Sequence, residues 1–337
     1  PRDADGRNIR FKPDKDQLEM LSGESQYGHT FDTWGHHLCT SNANHLFHEV
    51  IAAPYLKRNP SLLLADATQN IPDHGDAAEV YPITKNPEHQ LLTDVGVITS
   101  SCGVTWYQGD CFPDSFHNVT FIAEPVHNLV SRLVLQSEGS GFHGVRAGDE
   151  QNSEFLASQD NWFRPTMLRT GPDGAIWVAD MYRAVIEHPE WIPAEYQRKL
   201  KLSSGSDRGR IYRIVPDNGC CGKDQAIDES QENSNQRSFF AADWKSLDLV
   251  AIAERVGSVN GWWRDTAQRM LQHRRVEATG HDGVVSVLSR ISEGDAAPAA
   301  QAAAVAPARK EAHPAAAPAV HPCHLTVEDR LALALAC

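Results

Sequence analysis

The sequence predicts a mainly β fold: a partial β-propeller of about three blades, followed by a small α-helical segment. Three observations lead to this prediction. First, segments that share the same order of strand, turn and strand recur through the first 216 residues. Second, apolar residues follow helical spacing after residue 240. The 337 residues are 41% hydrophobic, which is enough apolar material to fill the cores of both parts.

The three repeated segments each contain a strand, a turn, a second strand and a polar end. They run from Tyr27 to His45, from Cys102 to Asn128 and from Phe163 to Arg183. Their spacing of about 60 to 75 residues fits blades of about four strands with long insertions. Because propellers close with about four to eight blades, we expect earlier blades to precede Pro1. A plain β-sandwich with solvated strand ends is the alternative.

The third segment shows the plan most clearly. Gly171-Pro-Asp-Gly174 predicts a tight turn, because Pro172 presets φ, Asp173 can accept a bond from the nearby backbone and Gly174 tolerates a positive φ. Residues 176–179 (IWVA) then indicate a strand with both faces covered. The strand ends in polar residues, and polar groups at a strand end are where folds commonly keep their chemistry.

All three second strands end at such polar clusters. The clusters are Asn42 with Asn44, Glu124 with Asn128, and Asp180 with Arg183. In a propeller, the loop after the second strand of each blade opens toward the central channel. We therefore expect all three clusters to point at one shared pocket, in which Asp160 and Arg164 join the first and third clusters.

The residue types of the third segment suggest roles in that pocket. Arg164 and Arg183 are candidates for binding an anion or an anionic cofactor, because a guanidinium grips a carboxylate with two parallel bonds. Asp180 or Asp160 is the candidate general base if burial raises its pKa, and His188 is the candidate proton shuttle. The alternative is that Asp180 and Arg183 simply pair with each other or close the loop.

The remaining candidates are assigned to a polyhydroxylated or anionic substrate. Trp162, Trp177 and Trp106 offer aromatic faces to a sugar ring, although large aromatics in propeller strands more often pack between blades. Of these three, Trp162 is assigned to the substrate, and Tyr182 is assigned to it as well. The polar candidates for the same ligand are Asn42, Asn44 and His45, and His29 is placed with the cofactor-binding residues.

Histidines near the N-terminus suggest a metal, but they straddle a strand, a turn and a loop, and no carboxylate completes a motif around His45 and His48. Calcium is the better candidate cation, because hard oxygens are available. The residues that offer them are Asn42, Asn44, Asp160 and Asp180. No metal ligand is assigned.

Composition excludes several classes of function. The net charge of −13 argues against a nucleic-acid partner, and no apolar run is long enough for a transmembrane segment. None of the seven cysteines forms CxxC or CxxCH, so a zinc ribbon and a haem attachment site are absent from this sequence. Cys102 and Cys111 flank a predicted hairpin from Gly103 to Asp110; they bridge it in an exported protein or stay reduced and buried otherwise.

The composition changes after the repeated segments. Residues 1–216 form the β part, residues 217–240 read as a polar linker, and residues 241–292 show helical periodicity. In the helical part, Asn260-Gly261 separates two amphipathic stretches, which resemble one unit of a helical repeat. Residues 293–337 are rich in Ala and Pro and cannot build a core.

Long strings of this sequence match a known family. They are SQYGHTFDTWGHH (25–37), SNANHLFHEV (41–50), YLKRNP (55–60), SCGVTWYQGD (101–110), EFLASQDNWFRP (154–165), GPDGAIWVADMYRAVIEHPEWIP (171–193) and GRIYRI (209–214). With them, the chain resembles the large membrane-bound dehydrogenases of planctomycetes and their relatives over about residues 20 to 275. In that family a propeller similar to soluble quinoprotein glucose dehydrogenase precedes HEAT repeats and a cytochrome c module. GWWRDTAQRML (261–271) resembles the start of the HEAT repeats.

The resemblance implies an exported redox protein, periplasmic or associated with the cell surface or membrane. Such a protein oxidises a sugar or another hydroxyl or aldehyde substrate and passes electrons to a cytochrome c. Pyrroloquinoline quinone (PQQ) and calcium are the cofactors it implies, and haem c belongs only to a longer chain.

One departure weighs against the quinone. Quinoprotein propellers carry a G-x-R-N-P-x-G stretch, whose Arg and Asn hold the quinone carboxylates. Here Glu24 and Ser25 stand in those positions, and a carboxylate repels a tricarboxylate cofactor. A propeller that has lost its chemistry and serves as a carbohydrate- or protein-binding module is therefore the alternative.

Overall fold

The computed structural model of the protein describes residues 6–75, 77–84, 96–216, 247–274 and 282–292. The predicted linker (217–240) and the Ala/Pro-rich tail (293–337) lie outside these residues. The chain begins with a hairpin of β1 (Ile9–Lys12) and β2 (Gln17–Met20), which pair antiparallel. Three larger antiparallel sheets and a helical segment follow.

The first sheet contains four strands in sequence order. They are β3 (Gly28–Phe31), β4 (His37–Thr40), β5 (Phe47–Glu49) and β6 (Thr68–Asn70), with the short helix α1 (Ala53–Leu56) between the last two. Each strand pairs antiparallel with the next one. The sheet is therefore a simple meander.

The second sheet repeats this meander with longer strands. It contains β7 (Cys102–Trp106), β8 (Val119–Glu124), β9 (Leu129–Glu138) and β10 (Gly141–Arg146), and the two-residue strand β11 (Leu156–Ala157) pairs with β9. All of β7 and β8 is buried. Such complete burial explains why both strands are rich in apolar residues.

The prediction of a hairpin over residues 103–110 is wrong. β7 continues as a single strand to Trp106, and the chain returns only at β8, which begins at Val119. Cys102 is a buried free thiol and Cys111 is disulfide-bonded, so the two do not bridge each other.

The third sheet contains β12 (Pro165–Thr170), β13 (Ile176–Asp180) and β14 (Arg210–Ile214), and the short helix α2 (Ala194–Gln197) lies in the long connection before β14. The predicted turn between the first two strands is confirmed. The Gly174 amide donates to the Gly171 carbonyl over 3.0 Å, and Gly174 has φ of +75°.

The first strands of the three sheets lie side by side. The Gly103 amide of β7 donates to the Tyr27 carbonyl over 3.0 Å, and the Thr105 hydroxyl of β7 donates to the Leu168 carbonyl of β12 over 2.6 Å. A Cβ atom built on Gly28 would lie 3.0 Å from the Gly103 amide nitrogen. β7 therefore lies between β3 and β12 in close backbone contact with both.

Two hydrophobic cores join the sheets face to face. One lies between the first and second sheets and the other between the second and third sheets. The first contains Leu38, Leu46, Ile71, Val104, Trp106, Ile122 and Leu133. The second contains Phe121, Val130, Phe155, Phe163, Leu168, Ile176 and Tyr212. Burial of these side chains is the main stabilising contribution to the stack.

The helical segment consists of α3 (Leu249–Glu254), α4 (Gly261–His273) and α5 (Asp282–Ser292). The predicted break at Asn260-Gly261 is confirmed, because the Asn260 side chain caps α4 by accepting from the Trp262 amide over 2.9 Å. The helices pack on one another through a small apolar cluster that includes Ala253, Val284 and Val287.

The coarse fold prediction is confirmed: the chain is mainly β, its sheets are antiparallel, and a helical segment follows. Within the described residues each sheet is open and none closes on itself. No helix in this part of the chain is both long and apolar enough to cross a membrane.

Candidate functional site

The polar ends of the three repeated segments are linked by hydrogen bonds along one side of the sheets. After β4, the Asn42 carbonyl accepts from the Ser101 amide over 3.0 Å. After β8, Glu124 accepts from the Ser100 hydroxyl over 2.7 Å. Next to Glu124, the Pro125 carbonyl accepts from Arg164 Nη1 over 2.7 Å. The predicted clusters thus occupy a common edge, which we call the polar edge (residues 41–44, 100–101, 124–128, 160–164 and 180–184).

Arg164 lies in the interior of the polar edge rather than on its surface. Its side chain is fully buried. Nε donates to the Arg183 carbonyl over 3.0 Å, and Nη2 donates to the Ala184 carbonyl over 2.9 Å. Nη1 donates to the carbonyls of Pro125 and Val126. Burial lowers the pKa of Arg164 to about 10, so the guanidinium is still charged at pH 7. It cross-links two loops through main-chain carbonyls.

Asp180 organises the same region through main-chain amides. Oδ1 accepts from the Arg164 amide over 2.7 Å and from the Tyr182 amide over 2.8 Å. Oδ2 is buried and has no hydrogen-bond partner among the described residues. Burial raises the pKa of Asp180. One oxygen of this carboxyl group therefore holds the loop, and the other is uncommitted.

Arg183 also bonds to protein carbonyls. Its Nη1 donates to the carbonyls of Met181 and Arg208 over 2.8 and 2.6 Å and to the Gly205 carbonyl, and Nη2 donates to the Ser206 carbonyl over 3.2 Å. These bonds fold the loop of residues 203–208 back against the end of β13. The predicted pairing of Asp180 with Arg183 through their side chains is not among the ion pairs of the described residues.

Partly exposed aromatic and charged side chains lie beside these buried groups. The ring centroids of Trp162 and Tyr182 are 5.4 Å apart. Arg210 places its guanidinium carbon 3.4 Å from the centroid of Tyr182, and its Nη1 lies 3.6 Å from Asp160 Oδ2. We call these four residues the aromatic–charged cluster. Its side chains present stacking surfaces and hydrogen-bonding groups together.

Tyr182 adopts a left-handed backbone conformation, with φ of +51°. This region is costly for a bulky side chain and persists only where surrounding contacts impose it. Here the Asp180 carboxylate holds the Tyr182 amide, and Gly205 packs so closely that a Cβ atom there would lie 2.5 Å from the Tyr182 carbonyl oxygen. The ring of Tyr182 is thus held in place by its backbone.

Other predicted site residues lie apart from this cluster or are committed to local contacts. His188 is exposed and caps a single helical turn through the Glu190 amide. Asn42 is exposed, and Asn44 donates to Asn70 over 2.5 Å. His45 is buried against His74, and burial lowers its pKa to about 3.

His29 lies on β3 and belongs to a different group of side chains. Its Nδ1 is 3.1 Å from His37 Nε2, and His37 Nδ1 is 2.7 Å from Glu49 Oε2. No three His, Cys, Asp or Glu side chains in the described ranges are grouped so that they could hold a metal ion.

Sequence reasoning missed several residues of these groups. Arg210 opens β14 and pairs in register with Asp180, about 30 positions earlier in the chain. His37 and Glu49 face each other across β4 and β5. Cross-strand partners depend on strand register, which the sequence does not display. The density of histidines between residues 29 and 48 was the one signal that the sequence offered.

The fold and the polar edge define a class of protein: an open stack of antiparallel sheets that presents loops with aromatic and charged side chains along one edge. Comparison with family models places the chain more closely. Residues 1–218 match the family described as Domain of unknown function (DUF7133), and the chain belongs to that family. No curated protein and no solved structure matches it.

Proposed function

We propose that the chain is the substrate-binding, oxidoreductase-like β-propeller part of an exported redox protein. It acts on a sugar or another hydroxyl or aldehyde compound and passes electrons to a cytochrome c. The aromatic–charged cluster is the observation that carries this proposal. Trp162 and Tyr182 offer faces on which a sugar ring stacks, while Asp160 and Arg210 offer an acceptor and donors for its hydroxyl groups.

The propeller architecture is itself part of the proposal. β3, β7 and β12 each begin a sheet, and they lie next to one another. Adjacent first strands are typical of the innermost strands of successive blades, which surround a central axis. The common polar edge supports the same arrangement, since blades related by rotation deliver equivalent loops to one face.

The cofactors implied by the family resemblance fit these residues poorly. Arg164 and Arg183 would face the carboxylates of PQQ, but their donors serve main-chain carbonyls. Glu24 is exposed and would repel the same cofactor. For calcium, no three His, Cys, Asp or Glu side chains of the described residues are grouped so that they could hold a metal ion, although Asn44 Oδ1 and Asp180 Oδ2 have no hydrogen-bond partner there. No step is derived through either group, and haem c is proposed only for a longer chain.

A binding module without redox chemistry is the second candidate function. Arg164 and Arg183 favour this function, because both side chains donate to main-chain carbonyls and therefore do not hold a cofactor. The aromatic–charged cluster beside them is then left as a surface that can recognise a ligand. A carbohydrate is the ligand that this surface fits, for the reasons that apply to the oxidised substrate.

Export is supported by the state of Cys111. This cysteine is disulfide-bonded, whereas Cys39 and Cys102 are buried free thiols. Disulfides persist mainly in oxidising compartments. The proposal places the protein in the periplasm or at the cell surface.

Ligand binding and dye reduction by the full chain separate the two functions. A panel of mono- and disaccharides is titrated calorimetrically and tested for reduction of an artificial electron acceptor, with and without added quinone and calcium. Arg210→Gln removes the guanidinium from the Tyr182 ring and from Asp160, and Arg198→Gln is the control at an exposed arginine.

We expect binding to weaken at least tenfold in Arg210→Gln and to persist in the control. Dye reduction that depends on Arg210 supports the dehydrogenase. Binding without dye reduction supports the binding module. If no sugar binds or reacts, or if both variants behave alike, the assignment of the cluster to a carbohydrate is wrong.

A further inference from the structure

A second group of titratable side chains lies on one face of the first sheet. His29 is on β3, His37 on β4 and Glu49 on β5, so the three side chains cross neighbouring strands in order. His29 Nδ1 and His37 Nε2 are 3.1 Å apart, and His37 Nδ1 and Glu49 Oε2 are 2.7 Å apart. His29 is exposed, whereas only 11% of the His37 side chain and 4% of the Glu49 side chain is accessible.

The ionised carboxylate of Glu49 determines which ring nitrogens of His37 and His29 carry protons. Burial alone would raise its pKa, but the hydrogen bonds from His37 and from the Ser22 amide lower it, so the carboxylate is ionised at neutral pH. An ionised carboxylate only accepts, so His37 must donate from Nδ1. When the His37 ring carries this one proton, its lone pair is on Nε2 and accepts from Nδ1–H of His29. The lone pair of His29 is therefore on Nε2.

The surroundings keep His29 neutral and the rings aligned. Loss of hydration around the ring lowers the pKa of His29, and the charge of Arg169 acts in the same direction. Phe31 stacks on His37 with ring centroids 4.9 Å apart. The Cys39 thiol lies 3.5 Å from His37 Nε2, and burial raises its pKa to about 12, so it stays protonated and is at most a weak donor.

We propose that His29, His37 and Glu49 form a proton relay whose outer end, His29 Nε2, takes up the proton of a ligand hydroxyl group bound against this face of the first sheet. His29 is the residue that touches the ligand, and His37 and Glu49 are positioning residues. The use of the relay on a hydroxyl group rests on the proposed function. Its protonation pattern rests on the geometry of the three side chains and on the ionised state of Glu49, and not on the proposed function.

The proton transfer balances without a further reactant. The hydroxyl O–H bond breaks and an Nε2–H bond forms on His29. Nδ1–H of His29 can then pass to His37 Nε2, while Glu49 stays ionised and stabilises the resulting imidazolium through its hydrogen bond with His37 Nδ1. Stabilising the imidazolium in this way is what a carboxylate behind a catalytic histidine does in general.

The tautomer of His29 tests the relay directly. A free imidazole favours the Nε2–H tautomer, whereas the relay requires Nδ1–H, and nitrogen chemical shifts distinguish the two. We expect nitrogen-15 spectra of the full chain at pH 7.5 to show an unprotonated Nε2 on His29, which is assigned by its absence in His29→Gln. Glu49→Leu, which removes the acceptor, should return His29 to the Nε2–H form, while Glu24→Leu, at an exposed carboxylate, should not.

The outcomes separate the relay from the proposed function. An Nε2–H tautomer in the wild-type chain overturns the relay, whatever the activity. An Nδ1–H tautomer that persists in folded Glu49→Leu also overturns it. If Glu49→Leu fails to fold, the wild-type tautomer alone decides. The expected tautomer without any sugar oxidation leaves the relay standing and rejects the dehydrogenase. Where oxidation is found, His29→Gln should lower its rate about 100- to 10,000-fold if the substrate reaches from the aromatic–charged cluster to His29, and a wild-type rate in this variant rejects the use of the relay on that substrate.

Discussion

Arg164 shows how a charged residue at the polar edge becomes part of the core. It is the largest fully buried side chain among the described residues. A buried charge is tolerated only when its hydrogen-bonding groups are satisfied, and here Nε, Nη1 and Nη2 all donate to carbonyls. The planar fork of the guanidinium makes this possible, because it reaches three directions at once.

Arg164→Lys should therefore destabilise the fold although it keeps the charge. An ammonium cannot reach the carbonyls of both loops, so buried acceptors are left unpaired, and we expect the free energy of unfolding to fall by about 3 to 5 kcal/mol. Urea denaturation measures this change. Arg198→Lys, at an exposed position, should leave the urea midpoint unchanged. Equal midpoints for the two variants would contradict the structural role of Arg164.

Two buried histidines predict a loss of stability in acid. Burial, with neighbouring charges, lowers the pKa of His45 to about 3 and that of His48 to about 4 in the folded chain. The unfolded chain takes up these protons near the ordinary value of 6.5. The folded chain therefore keeps its full stability with respect to these two histidines above pH 6.5. As the pH falls below 6.5, the free energy of unfolding decreases by about 1.4 kcal/mol per pH unit for each histidine.

His45→Leu should remove its share of this slope. Between pH 6.5 and 5 we expect the unfolding free energy of the variant to fall by about 2 kcal/mol less than that of the wild type. Urea titrations at several pH values provide the comparison. His188→Leu, at an exposed histidine, should keep the wild-type slope, and the same slope in all three proteins would show that His45 titrates normally.

At the level of elements, the close approach of β3, β7 and β12 depends on glycine. Gly103 has φ of +58°, and a Cβ atom there would lie 2.5 Å from the Thr166 carbonyl oxygen. Side chains at this point would push β7 away from β12, which would open the second hydrophobic core. Gly103 thus has both a conformational and a steric reason to be glycine.

Gly103→Ala should be much more destabilising than Gly139→Ala. Both residues have φ of +58°, but Gly139 has no atom within 4 Å of its built Cβ. The control therefore measures the backbone strain, about 1 kcal/mol, and the difference between the variants measures the contact of β7 with β12. We expect that difference to exceed about 2 kcal/mol in thermal or urea unfolding. Equal effects would mean that the inner strands are not packed as described.

At the scale of the whole molecule, the helical segment docks on the side of the sheets opposite the polar edge. The Gly261 amide donates to the Gln108 carbonyl over 2.7 Å, and the Trp263 indole donates to the Pro172 carbonyl over 2.7 Å. Asn260 donates to the Gly171 and Pro172 carbonyls as well, each over 3.2 Å. The turn that the sequence predicts at 171–174 is thus also the docking site of α4.

Gly261→Ala should loosen this docking without melting the sheets. A Cβ atom at Gly261 would lie 2.4 Å from Cβ of Gln108, so the helix must shift away. We expect calorimetry to show the single unfolding transition of the wild type separate into two. Thr266→Ala, a substitution on the same helix, is the control. A single transition that merely moves to lower temperature would mean that the sheets and helices do not unfold independently.

Much of the architecture was predictable because it depends on local rules. The turn at Gly171–Gly174, the break at Asn260 and the polar ends of the second strands follow from φ preferences, capping and alternation of apolar residues. The single pocket expected for these polar ends stays a prediction. Export, the cofactors and the activity stay proposals, because they depend on partners and ligands rather than on local rules.

The sequence by itself determined where the chain forms turns, where apolar residues alternate along a strand, and where polar side chains follow the strand ends. The tertiary structure decided what those polar groups do. Arg164 and Arg183 were candidates for a ligand and are bonded to main-chain carbonyls, while Arg210 and Glu49 drew no attention and lie beside the groups that could act. Hydrogen-bond partners are set by strand register and loop packing, which bring together residues far apart in the chain, and no local pattern records those distances.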